Sequence, residues 1–300
     1  MLRRLALSVL LALAPALAVA QPVALAVESG GVALPATLTR AADADGPRPL
    51  AVYLHGNPGR PLDQPPGRVD SLVTAALVAA GVDVVRVTYR GLWGTGGAFT
   101  LAHAVGDLDA VLDVVTAPAF ADRLGHRPSA VVLVGYSFGT AAALVGASGD
   151  DRVDGVAALA PCDHGYFGGE FSDPDSKIRG FLDRVTASLF GEGGPVEGGG
   201  PAFIGDLSEN ADAYRFPAHA EGLLGTRLLL LGGLDDAVCY AEDHLVPLYR
   251  RLRALEHPAL QAHVLPMDHG FGGVGPDALM AMVTEWIASG AGPAGDAPED

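Results

Sequence analysis

Lysine is almost absent: Lys177 is the only one among 300 residues. Basic residues number 19 against 35 acidic ones, for a formal net charge of −16. A chain this acidic repels a phosphate backbone, which argues against a nucleic-acid partner; the plain consequence of the charge is solubility. Cysteine is nearly as scarce, with only Cys162 and Cys239. Two cysteines make neither a disulfide scaffold nor a zinc-ligand cluster, and the spacing of the histidines suggests no metal site. No nucleotide or flavin signature is present, so no cofactor is expected.

A long membrane span is missing as well. The most apolar stretch is the first twenty residues, MLRRLALSVLLALAPALAVA. Arg3 and Arg4 precede an apolar run that ends in Ala18-Val19-Ala20. That order reads as a secretory signal peptide cut after Ala20, and the run is too short and too broken by proline to stay as an anchor. The expectation is a secreted or periplasmic protein without stable membrane insertion after cleavage. Residues 291–300, AGPAGDAPED, are expected to be a disordered tail.

What is present is a rhythm. PVALAVESGGVALPATLTR (22–40) reads as a hairpin about Ser29-Gly30-Gly31. From residue 50 onward, short apolar runs alternate with stretches of helical spacing. Strands are expected at 50–54, 82–91, 131–134, 153–161, 227–233 and 260–266, with helices at 71–81, 101–117, from 138, and at 243–255 and 277–288. Continuous apolar strands of this kind build a mostly parallel sheet covered by helices on both faces. In such sheets the chemistry gathers at the carboxyl ends of the strands.

Four strand ends carry unusual residues. The first is followed by His55-Gly56-Asn57-Pro58, and 131–134 by Gly135-Tyr136-Ser137-Phe138-Gly139. The run at 227–233 leads into GGLDDAVC, with Asp235 and Asp236, and the last into PMDHGFGG, with His269. A serine hydroxyl needs an adjacent base, for which imidazole is suited, and the imidazole needs a carboxylate to hold its tautomer. Ser137, His269 and an aspartate therefore form a candidate catalytic triad; the other reading of Ser137 is a polar residue in a glycine turn.

These motifs resemble the α/β-hydrolase fold. The order Ser-Asp-His, G-x-S-x-G between a strand and a helix, and the earlier HG turn all carry the resemblance. GGLDDAV and DHGF look most like dienelactone hydrolases. YLHGNPG and TYRGLWGTGGAF also look like secreted acyl-peptidases and aminopeptidases. The resemblance spans roughly residues 30 to 290. It implies a serine hydrolase with the backbone amides of Phe138 and Asn57 as oxyanion donors, Pro58 having no N–H to offer. Aligning GGLDDAV on G-x-x-D-x-x-V favours Asp235 as the acid, and starting one glycine later selects Asp236.

Further expectations concern the surroundings. His55 is read as structural, holding the oxyanion loop. Trp93 and Phe99 are read two ways, as parts of a glycine-rich loop or as walls of an acyl pocket. His164, next to Asp163 at a strand end, is a candidate substrate contact. Residues 162–222 break the rhythm and are expected to form a lid or cap, with KIRGFLDRVTASLFG (177–191) as an amphipathic helix. Cys162 and Cys239 follow consecutive core strands, so a disulfide between them would tie the base of the lid to the acid loop. The substrate expected first is a carboxylic ester. A small peptide comes second, and a non-catalytic binding protein on the same fold is the rival from another class.

Overall fold

The computed structural model describes residues 21–41, 46–196, 200–273 and 275–290. The expected leader (1–20) and tail (291–300) lie outside the described residues. Eight strands form one sheet. They are β1 (Val23–Ser29), β2 (Val32–Thr39), β3 (Leu50–Leu54), β4 (Asp83–Val87), β5 (Val131–Tyr136), β6 (Gly155–Leu159), β7 (Arg227–Gly233) and β8 (Leu260–Leu265). Their order is β1-β2-β4-β3-β5-β6-β7-β8. β1, β2 and β4 pair antiparallel, and every pair from β4 to β8 is parallel. The hairpin turns through Gly30 and Gly31 with φ of 56° and 79°, a two-residue turn whose twist suits the flanking strands.

The apolar runs are apolar because they are buried on both faces. Leu50, Val52 and Leu54 of β3 face one layer, and Ala51 and Tyr53 face the other. The first layer holds helices Leu101–Thr116, Phe138–Gly146 and Val246–Ala254; the second holds Arg68–Ala79 and Pro276–Gly290. In Leu101–Thr116 the buried positions Leu101, Ala104, Leu108, Val111, Leu112 and Val115 recur at helical spacing. Its first turn is capped by Thr100, whose hydroxyl accepts from the His103 N–H at 3.0 Å. The two edge strands differ: β1 at one edge alternates buried and exposed residues, and β8 at the other has no fully buried residue.

Between β6 and β7 the chain departs from the rhythm, as expected, but it is rich in helix. His164–Ser172, Arg179–Phe190 and Gly200–Glu209 are α-helical, followed by two short turns of helix at Ala211–Tyr214 and Phe216–His219. Two carboxylates anchor this insertion. Asp163, fully buried, accepts from the Tyr166 N–H, the Phe216 N–H and Arg215 Nε. Asp206 accepts from the Leu101 and Ala102 N–H groups at 2.9 and 3.2 Å, and so binds the insertion to a core helix. Among the described residues no helix is long and apolar enough to cross a membrane.

Candidate active site

Ser137 stands at the tip of the turn between β5 and helix Phe138–Gly146 with φ 53° and ψ −119°. A side chain in that backbone region is strained, and close packing around it holds it there. A Cβ on Gly139 would lie 2.0 Å from the Leu54 carbonyl oxygen, and one on Gly135 would lie 2.5 Å from the Gly139 oxygen. Both glycines are therefore required by the approach of neighbouring backbone.

The hydroxyl of Ser137 lies 2.9 Å from His269 Nε2, and His269 Nδ1 lies 2.8 Å from Asp236 Oδ2. Asp236 corrects the expectation of Asp235. The N–H of Leu234 donates to Leu265 O and that of Asp235 to Met267 O, so pairing with the β8 side continues past Gly233. The turn therefore comes one residue late. Asp235 is left exposed, and Asp236 points inward with 1% exposure. Its second oxygen accepts from the Val238 and Cys239 N–H groups, each at 2.8 Å. Burial pushes the Asp236 carboxyl up, but the bonds from His269, Cys239 and Val238 outweigh it and hold the group below the ordinary carboxylate range.

The His269 loop is shaped by Asp268, whose Oδ1 accepts from Gly270 and Gly272 N–H at 2.9 and 2.7 Å. Tyr136 donates its hydroxyl to the His269 carbonyl at 3.1 Å. Neither role was foreseen, although both residues stand inside the motifs singled out. Cys162 and Cys239 are joined in a disulfide, as expected from their strand ends. Cys162 Sγ lies 3.7 Å from Ser137 Oγ. The ligand atoms of Cys162, Cys239 and His269 fall within 4.8 Å of one another, but both sulfurs are taken up by the bond between them.

A cavity of about 290 Å³ opens at Ser137. Asn57, Phe138 and His269 line it as well. Phe138 begins its helix, where the first N–H groups have no partner within the helix, and the helix dipole favours an anion there. The far walls come from the insertion: Leu182, Val185, Leu189, Phe203 and Leu207 among others. Of the three residues expected at the substrate, only His164 lines this cavity. Its Nδ1 is bonded to the Cys162 carbonyl at 2.9 Å, and burial pushes its pKa down to about 4.

Trp93 does not wall this cavity. It is exposed, and its Nε1 donates to the Pro58 carbonyl at 3.1 Å, because its backbone is tied to the insertion through Pro195. Phe99 lies one layer deeper, stacked on Phe203 at 5.1 Å and tilted against Phe138 at 4.9 Å. His55 is buried with Nδ1 on the Gly56 carbonyl, and it packs on Tyr89.

No family model matches the chain, and no curated protein sequence does. Solved structures do. Est1E from Butyrivibrio proteoclasticus superposes with a TM-score of 0.61 at 16% identity, over 89% of this chain and 98% of its own. The Pyrococcus furiosus esterase Pf2001 gives 0.64 at 15%, over 91% and 93%. A puromycin-hydrolyzing peptidase of Mycobacterium tuberculosis gives 0.65 at 19%, over 91% of this chain and 40% of its own. The chain has the α/β-hydrolase fold. Ser137, Asp236 and His269 thus stand at the carboxyl ends of the strands of an α/β-hydrolase sheet, where that architecture concentrates chemistry.

Proposed function

We propose that this chain is a serine hydrolase of small carboxylic esters, exported, and working without a cofactor. The observation that carries the reading is the unbroken hydrogen-bond chain Ser137–His269–Asp236, at 2.9 and 2.8 Å, opening into an apolar cavity. His269 Nε2 takes the Ser137 proton as Oγ attacks the acyl carbonyl. The Phe138 and Asn57 N–H groups stabilise the oxyanion. Collapse expels the alcohol, which leaves with the proton from Nε2. Water, activated by the same nitrogen, then frees the acid and restores Ser137. Asp236 stays ionised throughout and accepts from Nδ1–H, which keeps the imidazole in the tautomer that presents Nε2 to Ser137.

An ester is favoured over a peptide by the lining. Among the described residues no Asp, Glu, Lys or Arg lines the cavity, so a free amino or carboxyl terminus would find no charged partner among them. Helices of the insertion act as a cap that shapes the acyl site. The space holds on the order of ten water-sized groups, taking roughly 30 Å³ for each, which suits one medium acyl chain or one ring.

The test is to treat the purified chain with a fluorophosphonate and locate the adduct by mass spectrometry. A single adduct on Ser137, with Ser137→Ala folded but inactive on acyl esters, is the expected result. A folded protein that takes no label and cleaves no ester would favour a binding protein on the same fold.

A further inference from the structure

One polar side chain of the acyl cavity has no part in the reaction proposed above. Ser137, His269 and Asn57 belong to that reaction, and the two cysteine sulfurs are bonded to each other. Ser188 lines the cavity from an exposed position and donates its hydroxyl to the Val185 carbonyl at 2.9 Å. His164 is left. It is 7% exposed and borders the same cavity as Ser137. Cys162 stands between them: its sulfur lies 3.7 Å from Ser137 Oγ, and its carbonyl oxygen lies 2.9 Å from His164 Nδ1.

The state of the ring follows from its partner. A carbonyl only accepts, so Nδ1 carries the proton and donates it to Cys162. Burial holds the pKa at about 4, so at neutral pH the ring takes up no second proton. Nε2 is then a lone-pair acceptor. Among the described residues it has no hydrogen-bond partner. Nor is it sealed from the cavity: the buried side-chain atoms that lack a partner are His55 Nε2, Asn57 Oδ1, Thr74 Oγ1 and Thr88 Oγ1. Two T-shaped contacts hold the ring, with Phe138 at 4.9 Å and Phe167 at 5.5 Å between centroids. The acceptor is thus fixed in orientation, beside a space walled mainly by phenylalanine and leucine.

An acceptor selects a donor, and the lining narrows which donor. An ammonium would find no charged partner among the described lining residues. An amide N–H brings with it a carbonyl that would meet mostly apolar side chains. A hydroxyl on the acyl chain needs one acceptor, and Nε2 supplies it. We propose that His164 Nε2 recognises a hydroxyl group on the acyl chain, and that the preferred substrates are esters of hydroxylated acids. The proposal rests on the ester-hydrolase reading of Ser137. In a cavity without such an acceptor the hydroxyl would be a handicap, since it gives up water and gains nothing. The two cases therefore differ in sign.

The test measures kcat/KM on the whole chain for ethyl hexanoate, for its 3-hydroxy and 6-hydroxy derivatives, and for the matching methoxy ethers. At least one hydroxy ester is expected to exceed ethyl hexanoate by about tenfold. Its ether should stay at or below ethyl hexanoate, because it keeps the oxygen and loses the donor. The advantage should fall to about one in His164→Phe, which keeps a ring between Phe138 and Phe167 but has no acceptor. His164→Asn is the second variant: its amide N–H can still serve the Cys162 carbonyl, but nothing replaces Nε2. Hydroxy esters no better than ethyl hexanoate, ethers as good as the alcohols, or an advantage retained in either folded variant overturns the assignment. Should both variants fail to fold, alcohol against ether on the unaltered chain still decides. Cleavage of none of the esters, with no fluorophosphonate label on Ser137, would instead sink the hydrolase reading on which the assignment stands.

Discussion

Cys239 is joined to Asp236 and to Cys162 at once: its N–H donates to Asp236 Oδ1 at 2.8 Å, and its sulfur is bonded to Cys162 beside Ser137. The disulfide therefore links the end of β6 to the turn that holds the carboxylate. Thr140 extends the link, donating to the Ser137 carbonyl and accepting from the Cys162 N–H. Removing the bond frees a 77-residue separation in the unfolded chain, for a loss of roughly 2–5 kcal/mol. Cys162→Ala/Cys239→Ala is expected to melt lower and to lose kcat more than it raises KM, because the acid loop loses its clamp. Denaturant melts and ester kinetics check both; an unchanged kcat would show that the hydrogen bonds to Asp236 suffice.

The two adjacent aspartates should differ sharply. Asp236→Asn keeps the shape of the turn but lets the amide donate toward Nδ1, disfavouring the productive tautomer. A fall in kcat of about 10³ to 10⁴ is expected. Asp235→Asn removes only an exposed carboxylate and should stay within a few-fold of the parent. Equal losses in the two variants would contradict the assignment of the acid.

Acid should destabilise the fold well before carboxylates protonate. Burial pushes His164 down to about 4 and His244 down to about 3, while an unfolded histidine titrates near 6.5. Between those values the unfolded chain takes up protons that the folded one refuses, so stability falls as pH falls. The slope is at most about 1.4 kcal/mol per pH unit for each imidazole. Asp236 works in the other window: its lowered pKa stabilises above the unfolded carboxylate value, and that contribution is lost as pH falls through the folded value. Urea midpoints at pH 7.5 and pH 5 measure the first effect; equal midpoints would mean that the two imidazoles reach water.

The acyl wall offers a change in selectivity. Val185 projects into the cavity from the middle of helix Arg179–Phe190. Val185→Phe adds bulk to a space of about 290 Å³. It is expected to lower kcat/KM for an octanoyl ester by tenfold or more while sparing the acetyl ester, since each methylene in an apolar pocket contributes about 1–3 kcal/mol of discrimination. A parallel fall for both chain lengths would place the acyl group elsewhere.

Much of the site was legible one segment at a time. The glycines around Ser137, the HG turn at residue 55 and the DHG turn at 268 are local patterns. Each imposes a backbone course that neighbouring residues alone dictate. The choice between Asp235 and Asp236 was not local. Both fit the glycine pattern, and only the extra pairing of Leu234 and Asp235 with the chain at Leu265 and Met267 delays the turn. Trp93 and Phe99 stayed open between two readings for a related reason. An aromatic near a strand end can face a cavity, a neighbouring loop or a second packing layer, and the insertion, some hundred residues downstream, decided between them.

The order of apolar runs and helical spacings by itself determined the alternating architecture, the serine turn and the two cysteines at neighbouring strand ends, because side-chain period and turn chemistry act over a few residues. Only the tertiary structure decided which aspartate meets His269, which helix faces wall the acyl cavity, and which ring nitrogen of His164 is taken by the Cys162 carbonyl. Those outcomes depend on burial and on hydrogen bonds between segments far apart in the chain, whose mutual register no single segment encodes.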